Sequence, residues 1–101
     1  MAELTVTALD QLGERELATF DVSGIRIAIA SVGDAFYAFG DTCTHRGCSL
    51  AEGELEATIV TCPCHGSQFD VTTGEVLRGP AREPVRSYPV RVEGGVLRVD
   101  V

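Results

Sequence analysis

Apolar residues along this chain fall in short runs rich in β-branched and aromatic side chains, punctuated by turn residues. That is the punctuation of strands and turns. Leu4–Leu9, Leu17–Val22 and Ile25–Ser31 read as strands, the last two separated by Ser23-Gly24. Val32-Gly33-Asp34 turns the chain into a strand over Ala35–Phe39, after which Gly40-Asp41 opens a loop. Glu56–Thr61 reads as one strand, and Gln68–Val71 with Glu75–Leu77 as a hairpin around Thr72-Thr73-Gly74. A last hairpin pairs Val85–Val92 with Val96–Val101 through Glu93-Gly94-Gly95. Helix is expected only in two short stretches, near Asp10–Glu14 and Ser49–Gly53. The pattern predicts an all-β, antiparallel domain with an inserted lobe over roughly residues 41–80.

Length agrees with one domain over residues 1–101 and a modest core. Hydrophobic residues make up 45% of the chain, which favours folding over disorder. No apolar run reaches the roughly 20 residues that span a bilayer. Met1-Ala2-Glu3-Leu4-Thr5 lacks a basic, then apolar, leader pattern, so a cytoplasmic location is expected. The formal charge of −7 argues against nucleic acid and anionic membrane as partners, because both reward Lys and Arg. It permits steering toward a basic protein surface. All eight cationic residues are Arg, from which no function follows.

The chemistry is concentrated in the inserted lobe. Cys43-Thr44-His45 and Cys62-Pro63-Cys64-His65 hold both histidines and three of the four cysteines, with Cys48 between them. Cys43 with His45 and Cys62 with His65 offer two thiolates and two imidazoles from two loops, the side chains that bind transition metals best. Structural zinc also accepts two Cys and two His, but usually pairs Cys-x₂₋₄-Cys with His-x₃₋₅-His. Here each loop supplies one of each, which suits a binuclear iron–sulfur core with two different irons. Neutral imidazoles in place of two anionic thiolates make the core less negative, and an added electron then costs less. His-ligated clusters accordingly lie at about −150 to +300 mV, against about −400 mV for all-Cys plant-type clusters. The donor set points to an electron carrier holding one [2Fe–2S] cluster.

Cys48 and Cys64 remain. They form either a disulfide that pins the two loops together or a pair of buried thiols, the commoner state in the cytosol. Gly47 and Gly66 allow tight turns that bring backbone N–H groups near sulfur. Ser67 either donates its hydroxyl to a cluster sulfur, which raises the reduction potential, or caps its own turn.

Cys43-Thr44-His45-Arg46-Gly47-Cys48 and Cys62-Pro63-Cys64-His65-Gly66-Ser67-Gln68-Phe69-Asp70 resemble the two boxes of Rieske iron–sulfur proteins. The resemblance covers the chain from about Phe36 onward. It implies three antiparallel β-sheets with the cluster lobe at one tip. It implies that Cys43 and Cys62 hold the inner iron, and His45 and His65 the outer one. It also implies a Cys48–Cys64 disulfide, as in the cytochrome bc branch, and a covering loop at Gly79-Pro80. Three departures separate the chain from that branch: no membrane anchor is seen, Arg46 follows the first ligand His, and Phe69 replaces a Tyr whose hydroxyl bonds a ligand sulfur. With the hydroxyl bond missing at Phe69, a lower potential than in the quinol-oxidising relatives is expected.

Size resembles the Rieske ferredoxins that pass electrons from a flavin reductase to a terminal ring-hydroxylating oxygenase, most of which lack the extra cysteine pair. A second reading is a tightly bound subunit of a larger oxidoreductase, of the arsenite-oxidase or nitrite-reductase small-subunit type. A complete oxygenase is disfavoured, since it needs a further iron held by two His and a carboxylate, and both histidines are already committed. Arg46, Arg78 and Arg82 are candidates for a locally basic rim that orients docking.

Overall fold

The computed structural model describes residues 3–8, 17–22, 24–33, 35–44, 47–64 and 66–100, and the expected helix at Asp10–Glu14 lies outside them. The described strands are β1 (Glu3–Ala8), β2 (Leu17–Val22), β3 (Ile25–Val32), β4 (Ala35–Gly40), β5 (Glu54–Glu56), β6 (Ile59–Thr61), β7 (Gln68–Asp70), β8 (Val76–Arg78), β9 (Ser87–Tyr88), β10 (Val90–Glu93) and β11 (Val96–Asp100). They form three antiparallel sheets in the orders β1-β11-β10, β2-β3-β4-β9 and β5-β6-β7-β8.

The middle sheet explains why the most apolar stretch of the chain is continuous rather than alternating. Ile27, Ala28, Ile29 and Ala30 of β3 are all buried, as expected of a strand covered on both faces. The isoleucines face one way, into a cluster with Val22, Ala38, Leu97 and Val99. The alanines face the other way, into a cluster with Phe39, Leu50, Val60, Phe69 and Val71. Large side chains thus fill the interface with the first sheet. Small ones leave room for Phe39 and for the elements of the third. Each fully buried Ile, Leu or Phe contributes about 1.5–3 kcal/mol of transfer free energy. The second cluster also contains Cys43 and Cys62, so the two thiols belong to the packed interior.

Two expected strands divide. Glu56–Thr61 is a hairpin corner: Glu56 pairs with Ile59, and Ala57 takes a left-handed φ of 54° between them. A non-glycine residue in that region is uncommon, and the usual Gly or Asn turn signal is absent from the sequence there. Val85–Val92 breaks at Pro89, which has no N–H to give a ladder. Before the proline, Ser87 and Tyr88 pair with β4 in the middle sheet. After it, Val90–Glu93 pairs with β11 in the first. The proline carbonyl is still used, accepting from Asp100 N–H at 3.0 Å. The helix expected at Ser49–Gly53 is a single 3₁₀ turn, Leu50–Glu52.

Candidate metal centre

Two loops of the same length carry the cysteines. In the first, Thr42 bridges to Ser49 and encloses residues 43–48. In the second, Thr61 pairs with Gln68 and encloses residues 62–67. The internal bonds repeat as well. Cys43 N–H donates to the Cys48 carbonyl and Cys62 N–H to the Ser67 carbonyl, both at 2.8 Å. Gly47 N–H donates back to the Cys43 carbonyl at 2.8 Å, and Gly66 N–H to the Cys62 carbonyl at 3.2 Å. The two glycines have φ of 76° and 79°, a conformation other residues reach only at a cost. Each loop therefore has, at its fifth position, a left-handed residue that folds the chain back over its first cysteine.

Cys43 and Cys62 are each 2% exposed, and neither takes part in the disulfide, which joins Cys48 to Cys64. The disulfide fixes one loop to the other with Cα atoms 6.5 Å apart. The sulfurs of Cys48, Cys62 and Cys64 lie within 4.8 Å of one another. Two of the three are bonded to each other, so this group is a thiol packed against a bridge, not a set of three thiolate ligands. His45, Arg46 and His65 lie outside the described residues.

A third loop, following β8, closes over both. Its Gly79-Pro80 peptide bond is cis, and Pro80 is exposed. Ala81 N–H donates to Ser67 Oγ at 3.0 Å, a buried bond. Ser67 thus serves as an acceptor across loops, and its hydroxyl proton is left for a further acceptor. On the other side Thr44 Oγ1 donates to the Glu83 carbonyl at 2.7 Å. Behind this loop, Gly40 N–H reaches the Arg86 carbonyl and Val85 N–H the Gly74 carbonyl. Arg78 and Arg82 are exposed, and Arg82 borders a shallow open depression with Thr44, Pro80 and Glu83. Phe69 is fully buried in β7, opposite Val60.

The sequence reading missed three supports of these loops: Asp41, Thr44 and Ala81. Asp41 is fully buried and accepts from Ser49 Oγ at 2.6 Å and from Ala51 N–H at 2.8 Å. A polar residue just before a ligand loop and a hydroxyl just after it were the available signal. The bond from Ala81 comes from the backbone, so residue identity carries no trace of it.

As a test of fit, a [2Fe–2S] group of mixed ligation needs two buried thiols from neighbouring loops, unengaged by disulfide, and Cys43 and Cys62 meet that requirement. Residues 2–89 match the family model of the Rieske [2Fe-2S] domain. The chain is 43% identical over 89 residues to the 3-phenylpropionate/cinnamic acid dioxygenase ferredoxin subunit of Escherichia coli (strain K12), covering 87% of this chain and 83% of that one. The ferredoxin of carbazole 1,9a-dioxygenase from Nocardioides aromaticivorans IC177 has a TM-score of 0.91 at 35% identity, over 98% of this chain and 97% of that one. A chain in a complex of reduced oxygenase and oxidized ferredoxin of carbazole 1,9a-dioxygenase has a TM-score of 0.88 at 36% identity, over 96% and 91%. This chain belongs to the Rieske [2Fe-2S] family. Within that family it is an electron-transfer component and not itself a catalyst. Among the described residues no helix is long and apolar enough to cross a membrane.

Proposed function

We propose that the protein carries one [2Fe–2S] cluster, with Cys43 and Cys62 on one iron and His45 and His65 on the other, and passes single electrons from a flavin reductase to a terminal oxygenase in the cytoplasm. The observation that carries this reading is the repeated loop frame. Each copy buries one cysteine outside the disulfide, and the bridge takes up the remaining two. The relatives named as ferredoxins of dioxygenase systems, matched over most of both chains, support the choice of partners.

When bound, such a cluster takes up and gives back one electron at a time. The residues around it hold its ligands still and keep water away. Cys43 and Cys62 sit in packed interior, where little rearranges when charge changes. Ser67 Oγ accepts from Ala81 N–H, which leaves its hydroxyl proton for a cluster sulfur, and such a bond would favour the reduced state. Gly47, Gly66 and the Pro80 loop shape the enclosure, and Phe69 fills it without adding a hydroxyl.

The Cys48–Cys64 bridge is the observation that favours the second reading, a subunit held in a larger oxidoreductase. Purification separates the two: a carrier elutes by itself, whereas a fixed subunit copurifies with a large cofactor-bearing chain.

The test is metal and sulfide analysis of anaerobically prepared protein with a redox titration. Two irons and two acid-labile sulfides per chain, and a midpoint inside the range of about −150 to +300 mV, are expected. Cys62→Ser should abolish iron binding. Colourless protein with stoichiometric zinc, or spectra of two all-sulfur irons, overturns the proposal.

A further inference from the structure

A buried carboxylate with a cationic partner stands at the entrance of the first cysteine loop. Asp41 is 0% exposed. Its Oδ2 accepts from Ser49 Oγ at 2.6 Å and its Oδ1 from Ala51 N–H at 2.8 Å. Arg26 of β3 lies with Nε 3.6 Å from Oδ2, its side chain 60% exposed. The backbone doubles the connection: Asp41 N–H donates to the Arg26 carbonyl at 3.2 Å, and Leu50 N–H to the Asp41 carbonyl at 2.7 Å. One side chain thus ties the residue two before Cys43 to the residues just after Cys48.

Asp41 and Cys43 also face the same interior. Burial alternates along this extended stretch, with Asp41 buried, Thr42 exposed and Cys43 buried, and alternate side chains of an extended chain point to one side. Two residues of extended chain span at most about 7 Å between Cα atoms. At such separations a charge embedded in protein is weakly screened, whereas an exposed one is diluted by water and salt.

We infer that Asp41 is a positioning residue of the first ligand loop and that the Arg26–Asp41 pair sets the reduction potential, the buried anion lowering it and the exposed cation offsetting part of that effect. The inference rests on the proposed reading of Cys43 as a cluster ligand. Its sign follows from charge. A fixed negative group disfavours an added electron, so Asp41→Asn raises the midpoint. Removing the cation leaves the anion less compensated, so Arg26→Gln lowers it. The cation's contribution is the smaller and shrinks as salt is added, because that side chain is largely in water.

The experiment is a titration of the midpoint of the full chain with its cluster, in wild type, Asp41→Asn, Arg26→Gln and the double variant, at low and high salt. Iron and acid-labile sulfide are measured on each sample. Opposite shifts in the two single variants, an intermediate value in the double variant, and a salt-sensitive Arg26 effect are the expected result. Arg26→Gln alters an exposed side chain, so its negative, salt-sensitive shift remains available if Asp41→Asn does not fold. A loop-rigidity role alone lowers cluster content in both variants without opposite shifts, and that outcome overturns the inference. So do wild-type midpoints in cluster-loaded variants. If wild-type protein itself binds no iron, the proposed function has failed and this inference falls with it; a loaded wild type with unmoved variants sinks the inference alone.

Discussion

The first and second cysteine loops share a backbone and differ in what holds them. Both span six residues closed by an antiparallel pair, both send the first cysteine's N–H to the fifth residue onward, and both return a glycine N–H to that cysteine's carbonyl. The supports are unequal. The first loop is tied at its base by the Asp41 carboxylate, with Ser49 and Ala51 as donors. The second has no such carboxylate among its described contacts, and is held from above by the buried Ser67–Ala81 bond. The disulfide joins inequivalent positions of the repeat, the sixth residue of the first loop and the third of the second. A common frame therefore delivers two equivalent thiols, while unlike side chains decide how each loop resists movement and how the outer face is finished.

Removing the bridge tests this comparison most severely, because it is the covalent cross-link between the two cysteine loops. For a sequence separation of 16, loop-closure entropy gives about 3 kcal/mol. The variant Cys48→Ala/Cys64→Ala, measured by denaturant unfolding beside wild type, should lose stability of that order. A loss below about 1 kcal/mol shows that packing and the Asp41 and Ser67 bonds suffice to hold the loops. Reduction of the wild-type bridge under native conditions gives the same comparison without mutation.

The next contrast lies between two of the bonds that fasten the proline-bearing loop, one buried and one exposed. Ser67→Ala leaves the buried Ala81 N–H without its acceptor, at a cost of about 1–3 kcal/mol, and on the proposed reading removes a donor to cluster sulfur, so the midpoint of cluster-loaded protein should fall. Thr44→Val breaks an exposed bond to the Glu83 carbonyl, where water takes over, so the cost should stay within about 1 kcal/mol. Thermal melts and redox titrations of both variants decide the matter. A Thr44 effect equal to that of Ser67 would mean that burial does not separate the two fastenings.

These contrasts also show what the sequence could and could not reveal. Short β-branched runs and turn residues located most strands, and the two Cys-x-His and Cys-x-x-His groups located the loops, because local chemistry dictates both. The unbroken Ile27–Ala30 run reads in the sequence only as part of a strand, although its lack of alternation follows from burial on two faces. The hairpin corner at Ala57 was hidden, since alanine carries no preference for the left-handed φ it adopts. The switch between sheets at Pro89 is written in the sequence, yet the apolar pattern reads Val85–Val92 as one strand across it. Ser67's real partner is a backbone N–H fourteen residues away, and no side-chain pattern encodes such a bond. Asp41 reads in the sequence as a loop opener beside Gly40, because its burial depends on β3 and on residues 49–51 arriving around it.

The mildest test addresses the repeat itself. Gly47 and Gly66 occupy the same position of the frame, with φ of 76° and 79°. A Cβ on Gly66 would meet nothing within 4 Å, and one on Gly47 only Thr42 Cγ2 at 3.9 Å, an ordinary contact. Crowding is therefore not what selects glycine at either place; the left-handed backbone is. Alanine in that conformation costs about 1 kcal/mol, so Gly47→Ala and Gly66→Ala should each lower unfolding free energy by about that much, and by the same amount within error. Their sum should add in the double variant if the loops act independently. A clear excess over additivity indicates that the bridge transmits strain from one loop to the other. Unequal single costs indicate that the two frames, alike in hydrogen bonds, differ in how freely they relax: the loop tied by Asp41 at its base gives less, and the loop fastened through Ser67 gives more.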